Sequence, residues 1–400
     1  MRQTIRDLEV NTAYRWFLGL SLNDKVPHFT TYGKNYNRHF QDKEVIEEIF
    51  HYVLSIVWGQ ALMDPTEIFI DGTHIKAAAN NHKYTHQVLD KQAKSMSEQL
   101  EVEIDLDRKK YGKKSLRPAK ESEAEPKKTS TTDPESGWFR KGEHKEVFAY
   151  NAQVGCDKHG WALAYSIDAG NVHDSQAFLA LFEQLERFQS DYLIADSGYK
   201  TPSIAKFLLD QNITPVFPYT RPRGKGSFAL RTLSMNYYDC YLCSENQVLA
   251  YSTTNRDGYR EYKRDPKICT NCPLLSSCTE SKKKQNVVTR HIGREYLEIC
   301  EEIRHQKGSK ELYQKRKETV ERLFGTAKEC YTREVGKSKM KAKVGLTLAC
   351  LNIKKLVKMM AGKPFYFSLK TILIKIPAYF ENSSAEDIKR QTLKRCLSSI

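Results

Sequence analysis

Three acidic residues in this 400-residue chain stand where a metal-dependent phosphoryl-transfer centre would need them. Asp71 ends the apolar run IFID and is followed by GTHIKA, and Asp196 lies in YLIADSGYK. Glu321 lies in YQKRKETVERLFGTAKE, whose apolar residues recur at helical spacing. Two divalent ions roughly 3.5 to 4 Å apart can stabilise the attacking and leaving oxygens of an in-line displacement at phosphorus, and hard ions such as Mg²⁺ or Mn²⁺ prefer carboxylate oxygen. A short, stiff aspartate suits a ligand fixed at a strand end, whereas the longer glutamate can close a cage from a helix. Any one of the three alone reads more simply as a loop-capping or solvated acid.

The elements that must position these residues follow from periodicity. EVIEEIFHYVLSIVWGQALM (44–63) predicts a long amphipathic helix, followed by the strand that ends at Asp71. VFAYNAQVGCDKHGWALAYSIDAGNVHD alternates like a β-hairpin turning around Asp157 to Gly160. SQAFLALFEQLERF reads as a helix capped by Ser175, YLIAD as a buried strand, TPSIAKFLLDQ as a helix from Thr201 with Pro202 first, and ITPVFPY as a further strand. The stretch 90–140 is highly charged, and its middle, EAEPKKTSTTDPESG, predicts disorder. The intervals from Asp71 to Asp196 and from Asp196 to Glu321 are both 125 residues, so each holds an inserted segment. KVGLTLACLNIKKLVKMM reads as a core helix closing the fold.

Composition narrows the partners. Lys and Arg number 64 against 49 Asp and Glu, a net charge of +15, which suits a polyanion. Basic clusters occur at 107–120, 219–231, 282–290 and 337–343, the first two with Tyr or Phe among them, and could grip phosphates and stack bases; each also reads as a solvated surface loop. No apolar run approaches the roughly 18 residues of a membrane span, and MRQTIRDLEV lacks a signal-peptide core, so a cytoplasmic protein is expected. Ten cysteines in a reducing compartment then point to metal or burial rather than disulfides. Spacing alone pairs Cys240/Cys243 with Cys269/Cys272 around a tetrahedral Zn²⁺, although 25 residues separate the knuckles.

IFIDGTHIKAAAN (68–80), LIADSGYKT (193–201) and YQKRKETVERLFGTAKE (313–329) resemble the three signature blocks of bacterial insertion-sequence transposases of the DDE type. The resemblance runs from about residue 10 to about residue 360. It implies a ribonuclease-H-like α/β fold, a mixed sheet flanked by helices, in which Asp71, Asp196 and Glu321 bind two Mg²⁺ or Mn²⁺ ions. It also carries over Tyr313, Arg316 and Lys328 as phosphate- or DNA-binding residues. Read as positions on one helix, Arg316 and Lys328 lie near the face of Glu321 and could clamp phosphate, or form a salt-bridging surface.

For the cysteines, the resemblance favours Cys243, Cys269, Cys272 and Cys278 as the zinc ligands and leaves Cys240 spare. The same set could hold an iron–sulfur cluster or no metal. His173 and Asp174 match a recurring block and either lie near the site or, through Asp174 or Ser175, cap the next helix; His74 reads as a strand or turn residue. The expected organisation is a helical segment (1–64) like the remnant of an N-terminal DNA-binding region, a catalytic domain split between 65–219 and 306–362, a cysteine-containing β-rich insertion (220–305) and a tail (363–400). Implied partners are the double-stranded DNA of element ends and target, joined by a homo-oligomer, with no membrane. Because Met1 opens in what resembles the later part of the N-terminal region, a catalytically silent, DNA-binding remnant is a second expectation. A structure-dependent nuclease is a third.

Overall fold

The computed structural model describes residues 2–39, 45–87, 97–116, 127–141, 145–220, 233–235, 239–279, 281–328, 330 and 333–360. The tail from 363 and the basic residues at 117–120 and 221–231 lie outside them.

Four helices lead in: α1 (Arg2–Val10), α2 (Thr12–Phe17), α3 (Phe29–His39) and α4 (Val45–Gly59). Helix α4 buries Phe50, Val53, Leu54 and Val57, which recur every three or four residues along one face. It ends at Gly59 rather than at Met63, and Ala61 takes a left-handed φ of 51°.

The first sheet follows the expected order of elements. Its strands are β1 (Glu67–Lys76), then, after β2 (Tyr84–Gln87), α5 (Ser97–Lys110) and β3 (Lys127–Ser130), β4 (Gly137–Lys141), β5 (Lys145–Asp157) and β6 (Ala162–Ala169). Helix α6 (Asp174–Leu185), β7 (Tyr192–Ile194), α7 (Pro202–Asp210) and β8 (Thr214–Val216) complete it. The strand order is β4-β5-β1-β7-β8, with β6 also on β5. The first strands form an antiparallel arm, β1 on β5 and β5 on β6, whereas β1, β7 and β8 run parallel, so this is a mixed sheet. Asp157 fixes the hairpin turn: its carboxylate accepts the backbone N–H groups of His159, Trp161 and Asp64.

Helix starts are set by local chemistry. Thr201 accepts the Ile204 N–H and Pro202 opens α7, as the pattern predicts. Helix α6 is capped instead by His173, the last extended residue, whose Nδ1 accepts the Ser175 N–H; neither Asp174 nor Ser175 is the cap.

A second antiparallel sheet, β13-β12-β11-β10-β9, is built from β9 (Leu233–Met235), β10 (Cys240–Leu242), β11 (Val248–Thr254), β12 (Tyr259–Lys263) and β13 (Val287–His291). Short helices α8 (Pro266–Thr270) and α9 (Leu275–Cys278) lie between β12 and β13. The charged stretch expected to be disordered is ordered where it is described. Helix α5 packs on this sheet, with Asp107 paired to Arg260 at 2.5 Å and accepting the Thr254 hydroxyl at 2.7 Å. Arg108 donates to the Thr254 carbonyl and Tyr111 stacks on Tyr251. Further along, Asp133 is buried and accepts the Tyr150 hydroxyl. The charged residues described in this stretch find partners elsewhere in the chain, Asp107 and Arg108 about 150 residues on and Asp133 17 residues on.

Helices α10 (Arg294–His305), α11 (Ser309–Gln314), α12 (Val320–Lys328) and α13 (Lys337–Met360) return to the first sheet. Helix α13 packs against α4 and β6, and Gly345 permits the approach: a Cβ there would lie 2.1 Å from the Tyr165 hydroxyl. Among the described residues no helix is long and apolar enough to cross a membrane.

Asn352 of α13 is buried and makes paired bonds to one residue of the sheet, accepting the Ala162 N–H at 3.1 Å and donating to its carbonyl at 3.0 Å. Asn352→Ala is therefore expected to lower unfolding free energy by about 1–3 kcal/mol by stranding both buried groups, as read from urea denaturation midpoints.

Candidate active site

Parallel pairing of β1 with β7 sets the first two carboxylates. Phe69 pairs with Ile194, the last residue of β7, so Asp71, within β1, and Asp196, just beyond the end of β7, each stand two residues past this pair on neighbouring chain segments; paired strands lie about 4.8 Å apart. Glu321 enters from the first turn of α12, which packs on β1 and β5, where the helix dipole favours a negative charge.

Electrostatics link the three. Burial raises the Asp71 carboxyl to about 6; Arg316 and a bond from the Gly72 N–H oppose the rise, while Asp196 and Glu321 add to it. Arg316 Nη2 lies 3.0 Å from Asp71 Oδ2, and its side chain is only 6% exposed. Burial works against the Arg316 cation too, but Asp71, Tyr313 and Asp196 outweigh it and hold the guanidinium above its ordinary value. The two partners thus shift in the same direction: the pair favours its cation, yet burial and two like charges still dominate at Asp71.

The block around Glu321 is not one helix. Tyr313 lies in α11, Arg316 in a single 3₁₀ turn (Lys315–Lys317), and Glu321 and Lys328 in α12. The Thr319 hydroxyl donates to the Lys315 carbonyl beside its own backbone N–H, where the β-branched pair Thr319-Val320 begins the new helix. The break lets Arg316 turn inward to Asp71 while its Nη1 donates to the Tyr313 hydroxyl at 3.0 Å. Lys328 is exposed, two turns beyond Glu321 on the same face. His74 stacks on Phe139 with ring centroids 3.5 Å apart, and its Nε2 lies 3.1 Å from the Gly170 carbonyl oxygen.

Among the described residues, no three His, Cys, Asp or Glu side chains converge closely enough to hold a metal ion as they stand. The donor chemistry nevertheless fits a hard divalent cation. The three acids supply only oxygen, and Asp71, held toward its protonated form first by burial and then by Asp196 and Glu321, marks a site short of positive charge.

Cys243, Cys269, Cys272 and Cys278 line one small cavity of about 40 Å³ with Leu249 and Leu275. Burial raises the Cys278 thiol, and Cys243, Cys272 and Cys269 raise it further. Cys240 is not in that lining; it pairs with Met235 on β10.

Sequence reasoning missed two residues beside the aspartates, Asn151 and Gln153, both fully buried on β5. A signal was present: two amides at alternate positions of an otherwise apolar strand must face the same side.

Two stretches of the chain are similar to transposase family models. Residues 242–357 match the family model described as Transposase DDE domain, and residues 1–38 match that described as Transposase domain (DUF772). Together the two matches support an insertion-sequence DDE transposase. The larger one contains Glu321, Arg316, Lys328 and the four cavity cysteines, while Asp71 and Asp196 precede it. No curated protein and no solved structure matches the chain.

A carboxyl with a raised folded-state pKa binds its proton more tightly folded than unfolded, so its ionisation opposes folding. That cost begins as pH rises past the ordinary value of 3.8 and is complete above about 6. Metal-free wild type is therefore expected to lose stability relative to Asp71→Asn between about pH 4 and pH 6, measured by denaturation at a series of pH values; parallel curves across that window would refute the assignment.

Proposed function

We propose that the chain is a DDE transposase that cleaves DNA at the ends of an insertion element and joins the freed ends to target DNA. The observation that carries this reading is the β1–β7 register, which sets Asp71 beside Asp196 with Glu321 within electrostatic reach. An antiparallel arm followed by parallel strands across β1 supports a ribonuclease-H-like sheet, with 220–305 as the insertion between Asp196 and Glu321.

Asp71, Asp196 and Glu321 would hold the divalent cations, Mg²⁺ or Mn²⁺. When bound, such ions supply charge to the attacking and leaving oxygens of a displacement at phosphorus. Asp71 must be ionised to serve, and Arg316 favours that form against burial. Water attacks the phosphodiester at the element end, releasing a 3′-hydroxyl that then attacks a target phosphodiester. Both steps are in-line displacements that require no covalent protein intermediate, so one carboxylate set serves both. Exposed Lys315, Lys317, Arg322 and Lys328 border Glu321 and would grip the duplex backbone, in keeping with the net charge of +15. Two element ends would be paired by two or more copies of the chain.

Cys243, Cys269, Cys272 and Cys278 would hold a structural Zn²⁺. Their shared cavity supports that set over one using Cys240, and four thiolate donors suit zinc. Purified protein is then expected to carry one zinc per chain by elemental analysis, and Cys272→Ser to lose it, whereas Cys240→Ser retains it.

The deciding test uses a labelled duplex bearing the DNA ends that flank the gene, with Mg²⁺ or Mn²⁺. Glu321→Gln at equal folded concentration is expected to lower both 3′-hydroxyl release and strand joining by more than about a hundred-fold. Equal activity of the two proteins, or DNA binding without cleavage by wild type, would overturn the reading.

A further inference from the structure

Asp174 is the first residue of α6, where an acid ordinarily serves the helix end. Here the cap is His173, and the Asp174 side chain turns to the sheet instead. Its Oδ1 accepts from Asn151 Nδ2 at 2.8 Å and from Gln153 Nε2 at 3.4 Å. Gln153 Nε2 also donates to the Asp174 carbonyl at 3.1 Å, so both amides of β5 are committed to fixing this residue.

Two glycines show where the carboxylate points. A Cβ at Gly198 would lie 3.1 Å from Asp174 Oδ2 and 3.0 Å from Asp196 Oδ1, so both oxygens lie about 3 Å from one point. A Cβ at Gly72, the residue after Asp71, would lie 2.8 Å from Asp174 Oδ1 and 3.2 Å from Asn151 Oδ1. Neither glycine has the positive φ that would itself call for glycine. The missing side chains are explained by the space the Asp174 carboxylate occupies beside each glycine.

Unpartnered atoms surround the same space. Tyr199 is fully buried and its hydroxyl has no hydrogen-bond partner among the described residues, with Asp174, Asp71, Asp196 and Arg316 as charged neighbours. The Asn151 Oδ1 atom, aimed at the gap beside Gly72, is also buried and unpartnered. Helix-end electrostatics accounts for an acid at 174. It does not account for two buried amides holding it, two glycines making room for it, or polar atoms left without partners around it.

We propose that Asp174 is a fourth carboxylate of the centre, held by Asn151 and Gln153 so that its Oδ2 faces Asp196 and helps bind the divalent cation. This rests on the metal-dependent reading of Asp71, Asp196 and Glu321. Asn151 and Gln153 are then positioning residues that act through Asp174.

The test is Mn²⁺ binding to the full chain, read by electron paramagnetic resonance of free Mn²⁺, alongside the Mn²⁺ dependence of cleavage. Asp174→Asn is expected to weaken Mn²⁺ binding by about 10- to 100-fold and to shift cleavage to correspondingly higher Mn²⁺, with turnover recovering at saturation. Gly198→Ala, which puts a methyl group between the Asp196 and Asp174 oxygens, is expected to weaken Mn²⁺ binding as well, and it decides the matter if Asp174→Asn fails to fold. Asp71→Asn is the reference. If Asp71→Asn loses Mn²⁺ while Asp174→Asn and Gly198→Ala bind it as wild type does, the fourth-carboxylate assignment is overturned and the three-carboxylate reading stands. If wild type neither binds Mn²⁺ nor cleaves, the underlying reading falls with it.

Discussion

A buried carboxylate beside two others is the constraint around which the first sheet is organised. Asp71 leaves the central strand where solvent is largely excluded, and its neighbours on the parallel strand and on α12 carry the same charge. A group in that position is expensive to ionise unless a cation reaches it. Arg316 is that cation, and its own burial leaves it equally dependent on Asp71. Much of the chain's route after the second sheet follows from this. The 3₁₀ turn at Lys315–Lys317 breaks what would be a single helix, aiming Arg316 inward while α12 starts afresh with Glu321 in its first turn. The hydrogen bonds from the Thr319 hydroxyl to the Lys315 carbonyl and from Arg316 to the Tyr313 hydroxyl span that break.

What could be read from the sequence was local. The strand through Asp71, the hairpin around Asp157, the Thr201-Pro202 helix start and the apolar stripe of α4 depend on residues within a few positions of one another and form as their patterns predict, except that β1 does not end at Asp71 but runs on to Lys76 in its pairing with β5. Failures came where a distant partner overrides a local preference. Charge along α5 reads as solvation until Arg260 and Thr254, about 150 residues on, are seen to complete Asp107. Ser175 has the stronger intrinsic claim to cap α6, yet the backbone leaves its extended conformation at His173. Periodicity across YQKRKETVERLFGTAKE is helical throughout, but the inward pull on Arg316 could be seen only with Asp71 opposite. At the site, the acid types and their order were legible. The amides at 151 and 153 were visible as an anomaly in an apolar strand, without any indication of what they hold.

Contact between α5 and the second sheet ties the two long intervals together. Each interval is an excursion from the first sheet, one between Asp71 and Asp196 and the other between Asp196 and Glu321. Neither need have met the other. They meet through a buried ion pair, a stacked tyrosine pair and a hydrogen bond from Tyr111 to Asp239. Lys206 of α7 also pairs with Glu103 of α5, and Lys200, beside the Asp196 turn, pairs with Glu301 of α10. Polar contacts of this kind are geometrically specific, so they fix how the excursions sit on the helices that flank the catalytic-side sheet.

The first sheet thus stores electrostatic cost at one edge of its core and cancels only part of it. Apolar packing by α4, α6 and α13 covers the faces, while the carboxylate cluster retains one arginine against several acids and leaves buried oxygens on Asn151, Gln153 and Tyr199 without partners. A domain selected for stability alone would place apolar residues there, since replacing buried charges by well-packed hydrophobic groups commonly stabilises. The acids instead sit within the central strand, just past the end of its parallel neighbour and at a helix start, and the glycines beside them make room for a further carboxylate. Rigid placement of like charges that do not satisfy one another is a poor way to hold a fold together and a good way to hold something positively charged.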